Sequence, residues 1–199
     1  MDCFIKKYGN VTPYHNAYNE YQITKELHGI YPHNVPNVLG SPNLDVIVTE
    51  PIETNEYFDK YLLNQDYICT IELFLRGLNK LDLVNSRVLE LNAISLKQKF
   101  ERGFNTLYKK NISNTLKEMY KCESCAVINN AATIHGDLNL SNISCINSKV
   151  KVLDFEYLCF GNPDYDIATY LSSVLIHLTN GSKMYNSDPL INKSITINV

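Results

Sequence analysis

Two stretches of the chain carry side chains spaced for chemistry: "TIHGDLNLSNISC" (133–145) and "VLDFEYL" (152–158). They hold His135-Gly136-Asp137, then Asn142 five residues after the aspartate, then Asp154. Between Asn142 and Asp154, Ile143 and Cys145 alternate on one arm and Val150 and Val152 on the other, around Asn147-Ser148. A period of two on each side of a polar turn predicts a β-hairpin. A hairpin brings its ends together, so the Asn142 amide oxygen and the Asp154 carboxylate are expected at one edge, with Asp137 on the loop beside them. Oxygen ligands of this kind suit Mg²⁺, which takes few protein ligands and completes its shell with water and substrate phosphates. A third carboxylate close to the metal, and not needed to hold it, can accept the proton of an attacking hydroxyl. Base, asparagine five residues on and metal-binding aspartate after the next strand form the layout of phosphoryl transfer. His-Gly-Asp alone would pass for a polar turn; the whole series with a hairpin of the right length is far more specific.

Other elements must position these groups. "CFIKKY" (3–8) reads as a short strand. Thr12 is a candidate helix cap and Pro13 suits a first turn; Glu20, Ile23 and Leu27 then share a helical face and Gly29 is a plausible stop. The stretch 31–43, rich in Pro, Asn and Gly, reads as a connector, and "LDVIVTEPI" (44–52) as a buried strand. Tyr67, Ile71, Leu75 or Phe74, and Leu78 recur at helical spacing, as do Leu89, Ala93, Leu96, Phe100 and Leu107 towards 120. Residues 166–178 are expected to be helical, with Ile167, Tyr170, Leu171, Val174 and Leu178 on the buried side. The tail from Asn180 is polar and reads as loose.

"HGDLNLSN…VKVLDFEYLCFGNPDYDIATYL" closely resembles the aminoglycoside phosphotransferase and choline kinase-like family. The matching positions are His135-Gly136-Asp137, Asn142, Asp154-Phe155-Glu156 and Asp166-Ile167-Ala168. The Glu156-Tyr157 continuation is closer to choline or ethanolamine kinases than to protein kinases. The resemblance implies an α+β chain with a protein-kinase-like two-lobe fold. A reduced N-terminal lobe (1–52) would bind nucleotide, and a mainly helical C-terminal lobe (53–199) would carry the catalytic β-hairpin. It implies ATP and Mg²⁺ as cofactors, Asp137 as catalytic base, Asn142 and Asp154 as metal ligands, and His135 and Asp166 as braces of the loop. It further implies a strand lysine for the ATP phosphates, Lys6 or Lys7 with the family pattern favouring Lys6, and a helix acid, Glu20, to orient it. Backbone groups around Glu50 to Ile52 would meet the adenine.

Against that pattern the chain reads as truncated at both ends. The lysine strand begins at residue 3, no Gly-rich phosphate loop precedes it, and the chain stops about thirty residues after Asp166. The expected acceptor is a small-molecule hydroxyl: choline or another amino alcohol, a sugar, or an aminoglycoside. Glu156 and Asp164 are candidates for meeting a cationic head group. A catalytically silent binding module is the competing reading, and a small atypical kinase of a tRNA-modifying complex a more distant one.

Bulk properties agree with a small-molecule enzyme. The 199 residues suit one domain or two small lobes. A net charge of -3 lacks the basic face that nucleic-acid binding uses, and mildly favours a neutral or cationic substrate. Six cysteines (Cys3, Cys69, Cys122, Cys125, Cys145, Cys159) show no disulfide framework, and Cys122-x-x-Cys125 lacks two further zinc ligands. No apolar run reaches membrane-spanning length and "MDCFIKKYGN" is no signal peptide, so the expected location is the cytoplasm, without a membrane partner. The oligomeric state is not legible.

Overall fold

A computed structural model describes residues 2–52, 65–81, 86–109, 132–146, 149–180 and 194–196. The fold is α+β, with four helices and small antiparallel sheets, and is compatible with a reduced kinase-like architecture. The expected lobe boundary at 52/53 and the hairpin turn at Asn147-Ser148 lie outside the described residues, as do Cys122, Cys125 and the Leu107 side chain.

The chain opens with β1 (Asp2–Lys7), α1 (Ala17–Ile30), β2 (Val38–Asn43) and β3 (Val46–Thr49). Helix α1 starts later than Thr12: Asn16 is its cap, its side chain accepting from the Asn19 amide. Thr12 instead closes a turn before the helix, its hydroxyl accepting from the amides of Tyr14 and His15. Gly29 lies inside the helix, which runs on to Ile30 and is capped by the Tyr31 N–H on the Leu27 carbonyl. The stretch expected as a bare connector contains β2. That strand tolerates Gly40 and Pro42 because it sits at the sheet edge and its pairing with β3 is interrupted by irregularities. The sheet order is β2-β3-β1-β8, where β8 (Ser194–Thr196) pairs with β1, so the tail is not wholly irregular.

Then follow α2 (Gln65–Leu78), α3 (Ser86–Lys109), β4 (Ala132–Ile134), a 3-10 turn (Leu140–Asn142), β5 (Ile143–Ile146), β6 (Lys149–Val152), β7 (Cys159–Gly161) and α4 (Pro163–Asn180). Strands β5 and β6 form the expected hairpin, in the register Ile143↔Val152 and Cys145↔Val150. Strands β4 and β7 pair as well, and this ladder was not expected from the sequence. The main core joins Ile23 and Leu27 of α1, the apolar stripe of α2, Leu89 of α3, and Ile143, Cys145, Val150 and Val152 of the hairpin. Burying one such side chain stabilises by about 1.5–3 kcal/mol. The loop after α1 is stitched to the hairpin: the Val152 N–H donates to the Asn34 carbonyl (2.7 Å) and Asn34 Nδ2 to the Val150 carbonyl (3.0 Å).

Helix α4 departs most from its hydrophobic pattern. Ile167, Leu171 and Leu178 face outward at 49%, 52% and 56% exposure, while Asp166, Tyr170, Ser173 and His177 face in. Polar bonds decide the orientation. Asp166 takes two backbone amides of the 135–136 turn, and the Ser173 hydroxyl accepts from the Leu140 amide (3.1 Å). Leaving buried amides unpaired costs about 1–3 kcal/mol each, enough to outweigh the exposure of an apolar stripe. No helix among the described residues is long and apolar enough to cross a membrane.

Candidate active site

The loop between β4 and the 3-10 turn is held by its own backbone. Both Asp166 carboxylate oxygens accept from it, from the His135 N–H at 2.6 Å and the Gly136 N–H at 2.9 Å. His135 is buried against Phe155, its Nε2 within 2.9 Å of the Leu153 carbonyl and its Nδ1 3.3 Å from the Asp137 amide. The Nε2–H tautomer satisfies both contacts. Gly136 has φ +80°, and a Cβ there would stand 2.3 Å from the Tyr157 carbonyl oxygen. Gly136→Ala is therefore expected to lower stability by about 2–3 kcal/mol. Chemical denaturation checks this, and unchanged stability would mean the turn is less constrained than its geometry shows.

Asp137 follows, its carboxylate partly exposed. Its own carbonyl accepts from Asn142 Nδ2 at 2.8 Å. That bond commits the Asn142 amide nitrogen to the loop and leaves Oδ1 as the atom able to meet a cation. The Asn142 carbonyl accepts from the Leu153 N–H (2.8 Å), which sets Asn142 across from the residue preceding Asp154. Asp154 itself has φ 64°, a left-handed conformation that aspartate bears better than most residues.

From the other side of the site comes Lys6. Its ammonium lies 2.7 Å from Asp154 Oδ1, 2.7 Å from Glu156 Oε2 and 3.1 Å from Glu20 Oε2. Lys7 points away: its side chain is 75% exposed and meets only Asp45, at 4.0 Å. Of the two lysines the sequence left open, Lys6 is therefore the one that reaches the site. Glu20 also accepts from the Tyr8 hydroxyl at 2.6 Å. Burial would lower the Lys6 pKa, but Asp154, Glu20 and Glu156 together raise it well above that of an ordinary lysine. Burial would raise Asp154, yet Lys6 holds it below the usual carboxylate range. Burial pushes Glu20 up against the pull of Lys6. Glu156 is raised by burial, with Asp154 adding to it, to about 7.

Glu20, Asp154 and Glu156 each offer an oxygen within 4.8 Å of the others, the one such metal-competent group among the described residues. An all-oxygen donor set of this kind fits a small hard cation such as Mg²⁺. Asp154 belongs to that set; all three acids are engaged by Lys6, and Glu20 by Tyr8 as well. Glu156, a sequence candidate for meeting a cationic head group, pairs with Lys6 here, a contact its spacing did not signal. Asp164 is an exposed acid in the first turn of α4. The expected adenine contacts are only partly open: the Glu50 N–H donates to the Asn37 carbonyl (2.9 Å) and its carboxylate pairs with Lys151. Pro51 has no N–H, which leaves the Ile52 amide.

Two more groups converge without any signal in the spacing. His15 lies between Tyr8 and Tyr157, at ring distances of 4.9 and 5.4 Å, its pKa lowered by burial and then by Lys6. Lys99 of α3 stands 4.3 Å over the Tyr157 ring and 2.8 Å from Asp137 Oδ2.

No protein-family model matches the chain. Among curated proteins, Protein LicA homolog of Metamycoplasma hominis is 29% identical to it over 126 residues. The match covers 59% of this chain and 49% of that protein, so the chain spans about half the length of the curated relative it matches.

Proposed function

We propose that the chain is an ATP- and Mg²⁺-dependent phosphotransferase that moves the γ-phosphoryl group to the hydroxyl of a small molecule. The acceptor is of the choline or amino-alcohol, sugar or aminoglycoside type, and no nucleic acid takes part. One observation carries the reading. Lys6 of β1, Glu20 of α1 and Asp154 after β6 meet within ion-pair distance, though up to 148 residues apart in sequence. That group stands beside a loop whose backbone is pinned by Asp166 and which carries Asp137. The partial likeness to a LicA homolog agrees with the choline kinase-like resemblance.

In this reading Lys6 contacts the nucleotide phosphates and Glu20 orients it. Asn142 and Asp154 hold Mg²⁺, with Glu156 beside them. Bound there, Mg²⁺ supplies positive charge to the phosphate oxygens. Asp137 takes the proton of the attacking hydroxyl, while His135 and Asp166 keep its loop in place.

A second reading, a silent binding module, is favoured by one feature: Lys6 is already engaged by three carboxylates. Nucleotide must displace part of that shell to reach it. Thermal unfolding with MgATP separates the two. At a hundredfold excess over Kd, ligand adds about 2.7 kcal/mol, or about 5–10 °C for a domain of this size. Wild type is expected to show that Mg²⁺-dependent rise and Asp154→Ala to lose it. No rise in wild type would sink the phosphotransferase reading and leave the binding module.

A further inference from the structure

Lys99 has no part in the mechanism so far, yet it is one of the most carefully placed cations in the molecule. Helix α3 is locked to the strand beneath it. Asn92 Nδ2 donates to the Leu158 carbonyl at 2.9 Å, and Leu96 and Phe100 pack with Ile134, Tyr157 and Cys159. Lys99 is two turns after Asn92, on the same face, which sets its ammonium 4.3 Å over the Tyr157 ring and 2.8 Å from Asp137 Oδ2. The side chain is 39% exposed. An ion pair that open contributes only about 0–1 kcal/mol to stability, so the fold gains little from it.

We infer that Lys99 is a second phosphoryl-contacting cation, facing the transferring group from the acceptor side while Lys6 faces it from the nucleotide side. This rests on the phosphotransferase reading of the same site. The distances lead there directly. An acceptor oxygen giving its proton to Asp137 sits about 3 Å from the carboxylate, and the γ-phosphorus about 3–3.5 Å beyond it. A cation touching Asp137 is then within reach of a γ-oxygen. In the step, the acceptor oxygen bonds to the γ-phosphorus and the bond from that phosphorus to the β,γ-bridging oxygen breaks. The electron pair leaves on ADP, and the hydroxyl proton passes to Asp137. Negative charge spreads over the γ-oxygens, where a preplaced ammonium stabilises it.

Two measurements on the full chain test this. Acylation of lysines, read by mass spectrometry, is compared with Mg²⁺ plus the β,γ-imido analogue of ATP and with MgADP. Lys97, exposed on the same helix, is the internal reference. Lys99 is expected to be protected severalfold by the γ-phosphate-bearing analogue and not by ADP. The second is ATP hydrolysis, with water as acceptor. Lys99→Met is expected to lower kcat about a hundredfold with KM for ATP nearly unchanged, and Lys99→Arg to recover most of the loss. Equal labelling under the two nucleotides, or a Lys99→Met variant as fast as wild type, overturns the inference while the phosphotransferase reading stands. A wild type that binds neither nucleotide overturns that reading, and the inference with it.

Discussion

Asp137→Ala is expected to reduce turnover by about a hundred- to ten-thousandfold, the range a positioned general base supplies, while MgATP still raises the melting temperature as in wild type. The separation of the two effects follows from what the residue touches. The loop is not held by its carboxylate: its amide meets His135 Nδ1, and its carbonyl accepts from Asn142 Nδ2 and the Asn139 N–H. Alanine keeps all three contacts. Among the described residues the carboxylate pairs with Lys99 alone, in a half-open position where an ion pair adds little to stability. Lys6, Glu20 and Asp154 lie on other segments, and Asn142 keeps its bond to the Asp137 carbonyl, so of the groups expected to meet nucleotide and metal Lys99 alone loses a partner. Phosphate release and a melting curve on the same preparation check both halves. A variant that turns over normally would remove Asp137 from the role of base; one that no longer binds MgATP would mean its carboxylate helps to hold the metal.

The loop-and-hairpin half of the candidate site was legible in its geometry because short spacing carries it. Asp137 and Asn142 are five residues apart, and the hairpin that brings Asp154 back shows its period directly in the sequence. The Lys6 end of the candidate site was half legible. Alternation along β1 told Lys6 from Lys7 only as opposite faces. The choice needed α1 and the residues after β6, which arrive from distant positions. Lys99 and His15 were invisible for the same reason: each joins the site through the packing of a separate element. Helix α4 misled because periodicity measures apolar content alone. Its position is set by Asp166 and Ser173 bonding the 135–140 loop, a polar demand that turned Ile167, Leu171 and Leu178 outward. Strand β2 was hidden by Gly40 and Pro42, which an irregular edge strand accommodates.

Lys6→Met is expected to give the largest stability loss of any single change in the site, about 3–5 kcal/mol near pH 8, and a smaller one near pH 5. Methionine keeps most of the stem's volume, so the effect isolates the charge. Without the ammonium, three carboxylates remain within 4.8 Å of one another and largely shielded from water, offset only by the Tyr8 hydroxyl on Glu20 and by more distant groups such as His15 and Lys99. The pH dependence follows from the directions of the shifts. Glu20 and Glu156 already sit above the usual carboxylate value, Glu156 at about 7, chiefly through burial; Lys6 opposes that rise, so its removal raises both further. A carboxylate whose folded pKa exceeds its unfolded one contributes stability that is complete below the unfolded value. That contribution is lost as pH climbs through the folded value. In the variant, the loss falls between about pH 5 and pH 8. Asp154 behaves oppositely in wild type. Lys6 holds it low, so its contribution persists through this window and disappears only in stronger acid. Denaturant melts of wild type and variant in chelator, at several pH values across the window, give the comparison. A difference that stays flat with pH would mean the three acids are not crowded in solution as the structure places them. A difference near zero throughout would mean Lys6 adds no net stability, and that its place among the three carboxylates serves binding alone.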